Sequence, residues 1–195
     1  MDNNKEPTSL FLHNVVNRNT ADRISIGDLK LALHERGFAI LLVIFALPIA
    51  VPFPYIQGFT TILALPLIFF ASQMFLGFDS PWLPQWLANK TLSRQLIALI
   101  VTRAAPYLKR VEKLLKPRLI WLASGLGPRL IGFFSLLFSI AILIPLPFTN
   151  LLPAIGILIM SLGLLSRDGV TVLLGLLIGL VGFIISLAVL VFGAI

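Results

Sequence analysis

A chain of 195 residues with 58% hydrophobic and 12% charged residues and a mean hydropathy of +1.00 has too little polar surface to close into a water-soluble globule, where about a quarter of residues are charged. Cysteine is absent, which excludes disulfides, thiolate metal sites and a cysteine nucleophile. The composition is that of an integral membrane protein, and the apolar runs at 37–78, 130–165 and 170–195 leave no room for a second large soluble domain.

In chain order, residues 1–24 form a polar tail without the apolar core of a signal peptide, so insertion is expected to rely on the membrane segments themselves. The membrane domain is expected over 25–195. Its first unit, 25–86, opens on Ser25-Ile26-Gly27-Asp28, which has the form of a helix N-cap, and Ile26, Leu29 and Leu33 recur at helical spacing. This predicts a short amphipathic helix along the interface, leading to Arg36. Residues 38–51 then predict an apolar helix of about 14 residues, ~21 Å long and short of a ~30 Å hydrocarbon core. Pro52 and Pro54 remove two backbone donors and disfavour helical geometry before each of them, so the chain must break there. Helix resumes over 59–75, with a kink expected at Pro66. Trp82 and Trp86, beside Asp79, Pro81 and Pro84, have the character of an interfacial anchor.

Residues 87–118 are basic and amphipathic: Leu108, Val111 and Leu115 share one helical face, and Lys109, Arg110, Lys113 and Lys116 the other. Between positions 88 and 129 nine Lys or Arg stand against the single acid Glu112, more than accounting for the chain's net +7. Lys/Arg-rich loops stay in the cytoplasm, and a basic amphipathic helix tied between membrane segments is suited to anionic lipid headgroups. Nucleic acid is not expected as a partner.

The second unit, 119–168, repeats the first. Arg36 precedes Val51-Pro52-Phe53-Pro54 by fifteen residues, and Arg129 precedes Ile144-Pro145-Leu146-Pro147 by fifteen. A shift of 93 also aligns Tyr55 with Phe148, Gln57 with Asn150, Ile62 with Ile155 and Leu65 with Leu158. After the turn Ser166-Arg167-Asp168-Gly169, residues 169–195 carry no charge and are long enough to span; Gly175 and Gly179 stand in GxxxG spacing, continued by Gly182 and Ser186. Backbone groups freed by proline cannot face lipid. The two breaks therefore either pack together at mid-membrane as re-entrant tips, as in transporters built from repeated units with discontinuous helices, or form tight hairpin turns at the far membrane face.

Taken in order, ERGF (35–38), the ALPIAVPFP run, PWLP (81–84), LKPR (115–118), the IPLPFTNLLPA run and SRDG (166–169) resemble the ExoD family of bacterial membrane proteins from about residue 25 to the C-terminus. The resemblance implies an inner-membrane protein connected with exopolysaccharide production. It carries over no catalytic residues.

Candidate sites therefore rest on the residues. Pro52, Pro54, Gln57, Pro145, Pro147 and Asn150 would form a central site, the two amides bonding either a polar solute or the carbonyls freed in their own turns. Arg36 and Arg129, alike in position, suit an anion or lipid phosphate, or else anchor topology by snorkelling. Asp79 and Asp168 end corresponding units and are a candidate cation or proton pair, or else cap helices. Gly175, Gly179 and Gly182 permit close helix packing, internally or in a homodimer. No metal cluster, phosphate loop or nucleophile with a base is present in the sequence, so neither a cofactor nor a metal nor enzymatic activity is expected.

The sequence thus predicts an all-α polytopic membrane protein. It has two repeated Pro-broken hairpins joined by a cytoplasmic basic segment, and a C-terminal membrane helix. The expected role is transporter-like or channel-like, without catalysis, in support of exopolysaccharide synthesis. The rival is a structural or regulatory adaptor of the polysaccharide machinery.

Overall fold

The computed structural model describes residues 23–25, 35–51, 58–85, 91–93, 102, 115, 117–144 and 149–192. Within them the chain forms helices α1 (Glu35–Ala50), α2 (Phe59–Leu76), α3 (Gly127–Leu143), α4 (Leu151–Ser166) and α5 (Gly169–Phe192). α2 and α5 are long and apolar enough to cross a membrane; α1, α3 and α4 are apolar but shorter.

Apart from these, a short strand β1 (Arg23–Ser25) pairs antiparallel with β2 (Thr91–Ser93), Ile24 opposite Leu92. Ser25 thus ends a strand, and Thr91–Ser93 is extended where the sequence predicts a surface helix. Local amphipathicity could not reveal this, because a three-residue ladder depends on a partner far away in sequence. The remainder of the predicted interfacial helix, 26–34, and most of 86–116 lie outside the described residues.

Helix limits follow the local chemistry. α1 ends at Ala50 and α3 at Leu143, each two residues before the first proline of a Pro-x-Pro pair, and Ile144 is extended (φ −77°, ψ 117°) as a residue before proline should be. α2 runs between two glycines in left-handed geometry, Gly58 (φ 88°) and Gly77 (φ 83°), and continues through Pro66. At its end the N–H of Gly77 donates to Met74 O and that of Phe78 to Gln73 O, both at 3.1 Å, closing the last turn in a Schellman arrangement. α3 begins with Gly127-Pro128, where proline costs no intrahelical bond. α4 ends at Arg167 in left-handed geometry (φ 55°).

α2 and α3 are antiparallel and packed backbone to backbone. A Cβ at Gly132 would come 2.5 Å from Phe75 N, while at the opposite end of the pair the Thr61 hydroxyl donates to Leu143 O at 3.4 Å. α4 and α5 are also antiparallel: Gly156 lies against Gly179, Gly163 against Val172, and Gly182 against Pro153. Gly175, Gly179, Gly182 and Ser186 are all buried by this packing, so the small face of α5 is occupied inside the subunit and is not presented for a homodimer. Ser139 and Ser161 return their hydroxyls to the carbonyls one turn back, Ser135 O at 2.6 Å and Ile157 O at 2.7 Å, which satisfies them without leaving the helix.

The helices form a ring in which neighbours are α1–α2, α2–α3, α3–α4 and α4–α1, with α5 outside on α4 and touching α3. The most extensive interfaces are α4–α5, α2–α3 and α1–α4; the seams within each Pro-broken pair, α1–α2 and α3–α4, are thinner. Two ring pairs lie between these elements: Phe45 of α1 stacks on Phe70 of α2 (6.1 Å), and Phe138 of α3 meets Phe183 of α5 (6.4 Å) beside Gly179. Under a shift of 93 Phe45 and Phe138 coincide. So do five buried positions of α1 (Phe38, Ala39, Leu42, Ala46, Ile49) and five of α3 (Ile131, Gly132, Ser135, Ser139, Ile142), whereas buried Gly37 falls on exposed Leu130. The outward faces are apolar, with Ile62, Leu65 and Leu76 of α2 and Leu174, Leu177 and Ile184 of α5 all more than half exposed, the surface expected against hydrocarbon.

Gly179→Leu is expected to lower the thermal unfolding midpoint in detergent, because its side chain would enter the Phe138 ring, an overpacking that costs about 1–3 kcal/mol. Leu177→Ala, on the outer face, should leave the midpoint nearly unchanged. Equal midpoints for both variants and the parent chain would contradict this packing of α5 against Phe138.

Candidate functional site

The two interrupted pairs converge at one end of the ring. Asn150, 4% exposed, occupies the N-cap position of α4 without a side-chain cap bond. Its amide instead crosses to the other pair, Nδ2 donating to Thr60 Oγ1 in the first turn of α2 at 3.2 Å. Thr149 Oγ1 donates to Asn150 Oδ1 at 3.4 Å, and Thr149 O accepts from Ser186 of α5 at 3.4 Å. Thr61, next to Thr60, makes the bond to Leu143 O already described. The junction therefore gathers the starts of α2 and α4, the end of α3 and the flank of α5. Thr149, Asn150 and Ser186 are buried. Of the sequence candidates for this site, Pro52, Pro54, Gln57, Pro145 and Pro147 lie outside the described residues. Asn150 is not left pointing outward: beside its bond from Thr149 it ties the second pair to the first.

Thr60, Thr61, Thr149 and Ser186 were not singled out as site residues by sequence reasoning. The 93-residue register places Thr60 over Pro153 and Thr61 over Ala154, so a search for repeated residues passes over them. The available signal was simpler: hydroxyls in otherwise apolar segments, immediately after each break.

Asp79, Arg118, Arg129, Arg167 and Asp168 lie at the opposite end. Arg129, in the first turn of α3 and exposed, lays its guanidinium over Gly77, where an added Cβ would meet Nε at 2.5 Å. Cations are favoured at that helix end. Arg36 is half-buried in the first turn of α1. Asp79 is exposed in the turn after α2, where Gln73 holds the following loop by both ends of its amide: Trp82 N donates to Oε1 at 2.6 Å and Nε2 donates to Trp82 O at 3.4 Å. Asp168 is buried and caps α5. Its Oδ1 accepts from Val170 N (3.1 Å) and Thr171 N (3.4 Å), and its Oδ2 from the Thr171 hydroxyl (3.1 Å). Beside it Gly169 N donates to Arg118 O at 2.7 Å, which joins the LKPR and SRDG motifs.

Between Asp168 and Ser186 α5 rises about 27 Å at 1.5 Å per residue. Over that distance a unit charge contributes about 0.6 kcal/mol at an effective dielectric of 20, whereas removing an ion from water costs several kcal/mol. The charged end therefore cannot compensate an ion at the junction. Beyond Ser186, α5 continues to Phe192, about 9 Å further, with Leu187 and Phe192 exposed. The junction thus lies about halfway between the middle of α5 and its far end, below its tip.

Residues 8–188 match the family described as "Exopolysaccharide synthesis, ExoD". An uncharacterized protein of Synechocystis is 34% identical over 147 residues, which cover 75% of this chain and 69% of that protein. Protein ExoD of Rhizobium meliloti is 29% identical over 153 residues, 76% of this chain and 63% of that protein, so the match spans less than two thirds of the relative's length. No solved structure matches the chain.

The two readings of Asp168 separate by substitution. A capping role predicts that Asp168→Asn keeps thermal stability and function, while Asp168→Ala loses about 1 kcal/mol, the usual cost of an N-cap. Loss of function in the stable Asn variant would instead require a carboxylate charge, as a cation or proton site does.

Proposed function

The chain belongs to the ExoD family, and on that premise we propose that it supports exopolysaccharide synthesis from the bacterial inner membrane as a multi-pass, transporter-like protein without catalysis. The observation that carries this reading is the Asn150–Thr60 bond, a buried polar contact between the residues that follow the two breaks. Discontinuous helices meeting at a shared polar point are the construction of repeat-built transporters. The coincidence of helix ends and buried positions under a shift of 93 supports an internal duplication related by a two-fold axis along the ring.

The packing also supports a way of moving. α2 with α3 forms one close-packed body and α1 with α4 and α5 another, and each Pro-x-Pro segment joins one body to the other. The contacts of Phe45 and Phe138 are then the surfaces that part, and Asn150–Thr60 is the latch across them. The charged end faces the cytoplasm, as the basic segment requires, and the junction faces the far side. Anionic lipid headgroups are the expected partners of the basic segment.

A second reading, the adaptor, is favoured by one observation: the α2–α3 and α4–α5 interfaces are closed backbone to backbone, which suits a rigid scaffold for the polysaccharide machinery. Complementation of a deletion strain distinguishes the two. Transport predicts that Asn150→Leu and the double variant Pro145→Ala/Pro147→Ala each reduce polysaccharide output by about tenfold or more at normal membrane levels, the scale of losing one buried polar contact. Full complementation by both would remove the support for a transport site and leave the adaptor.

A further inference from the structure

We infer that the turn between Arg118 and Arg129 is a membrane-surface site for anionic phospholipid. Its apolar side chains enter the boundary between headgroups and acyl chains, and the arginines beside it take lipid phosphates. The inference rests on the multi-pass membrane reading and adds where, and through which residues, the chain selects a lipid.

The turn is held rigidly from its inner side. Leu119 is in left-handed geometry (φ 48°), and its carbonyl accepts from Leu122 N at 2.9 Å at the start of a 3-10 turn over Ile120–Ala123. The Ser124 hydroxyl donates back to Ile120 O at 2.8 Å. A non-glycine residue keeps left-handed backbone only where its surroundings hold it there. Here Gly169 N donates to Arg118 O at 2.7 Å, a Cβ at Gly169 would meet Leu119 and Leu122, and one at Gly127 would meet the Leu122 carbonyl. Buried Leu122 is thus the anchor, fixed between the starts of α3 and α5.

Around this anchor the apolar side chains stand outside the fold. Leu119, Ile120, Trp121 and Leu126 are exposed, Trp121 to 65% and Leu126 to 71%. They continue the outer faces of the bundle: Leu126 leads into α3 toward exposed Leu130, and Leu119 lies against Gly169, next to exposed Val170 of α5. The lipid leaflet that meets those faces therefore also covers the turn. Trp suits this border, with an apolar ring and one N–H donor.

Charge then selects the lipid. Arg118 and Arg129 are exposed at the two ends of the turn, and Arg167 is half-buried beside the Gly169–Arg118 bond. The carboxylate between them, Asp168, has both oxygens engaged by Val170 and Thr171 at the start of α5. Apolar insertion combined with basic side chains is how a peripheral surface holds to anionic bilayers. The guanidinium fork matches phosphate oxygens.

The test is fluorescence of the full chain in proteoliposomes, with Trp82→Phe/Trp86→Phe leaving Trp121 as the sole tryptophan and with lipids brominated along the acyl chain as quenchers. The preference of the Trp121 site for brominated phosphatidylglycerol over brominated phosphatidylcholine is expected at about fivefold for each arginine engaged. Arg118→Gln/Arg167→Gln should remove that preference while both lipids still quench, and Arg118→Lys/Arg167→Lys should keep most of it. Equal quenching by the two lipids in the parent chain would overturn the inference. So would the absence of quenching by either, the result if a second copy or another protein covers the turn. A control chain with Leu177→Trp on the outer face of α5 and Phe at all three native tryptophans separates the readings. Strong quenching there leaves the membrane reading standing when Trp121 fails, whereas no quenching at either position removes both.

Discussion

An apolar surrounding does not satisfy backbone N–H and C=O groups, and every broken helix in such a surrounding must find partners within the protein. This chain breaks two apolar helices with Pro-x-Pro, and the ends so created are brought to one place. The N-cap residue of α4 reaches the first turn of α2, and the first turn of α2 reaches the last carbonyl of α3. Each interrupted pair thus supplies what the other lacks. The pairing across the two units follows: α2 packs most closely on α3, and α1 on α4, rather than each helix on its own sequence neighbour.

Glycine makes that pairing close enough. Gly132 on the α2–α3 face, and Gly156 with Gly179 between α4 and α5, bring backbones to distances that no Cβ would allow. Dispersion over such contacts, rather than hydrophobic exclusion, holds helices together where lipid is as apolar as leucine. The contacts of Phe45 and Phe138 are different in kind: Phe45 stacks on Phe70 between α1 and α2, and Phe138 meets Phe183 at a tilt between α3 and α5. Strong interfaces inside each body and weak ones between them leave the polar bonds at the junction as the part whose loss changes the most.

Much of this was legible in the sequence. Proline chemistry placed the ends of α1 and α3 within two residues, the uncharged run from 169 gave α5, and the 93-residue register fell on helix limits and on buried positions. The partner of Asn150 was not legible, because Thr60 has no hydroxyl counterpart at Pro153 and its role exists only through a contact spanning 90 residues. The choice between internal packing and a homodimer for the α5 glycines was equally closed to sequence reasoning: GxxxG records a close approach without naming the partner, here α4 and Phe138. Asp168 was read in two ways for the same reason. An acid after a helix end looks alike whether it caps the next helix or binds a cation, and only the three donors from Val170 and Thr171 display the cap.

The central claim, that the residues following the two breaks meet, is open to one direct measurement, helped by the absence of native cysteine. A chain carrying Thr60→Cys and Asn150→Cys is oxidised in native membranes, denatured, and treated with a thiol alkylating reagent, with the peptides then read by mass spectrometry. The account predicts an intramolecular disulfide joining residues 60 and 150 in most of the protein, because the replaced side chains lie within hydrogen-bonding distance. Two fully alkylated cysteines after oxidation, in a variant that inserts normally, would contradict it.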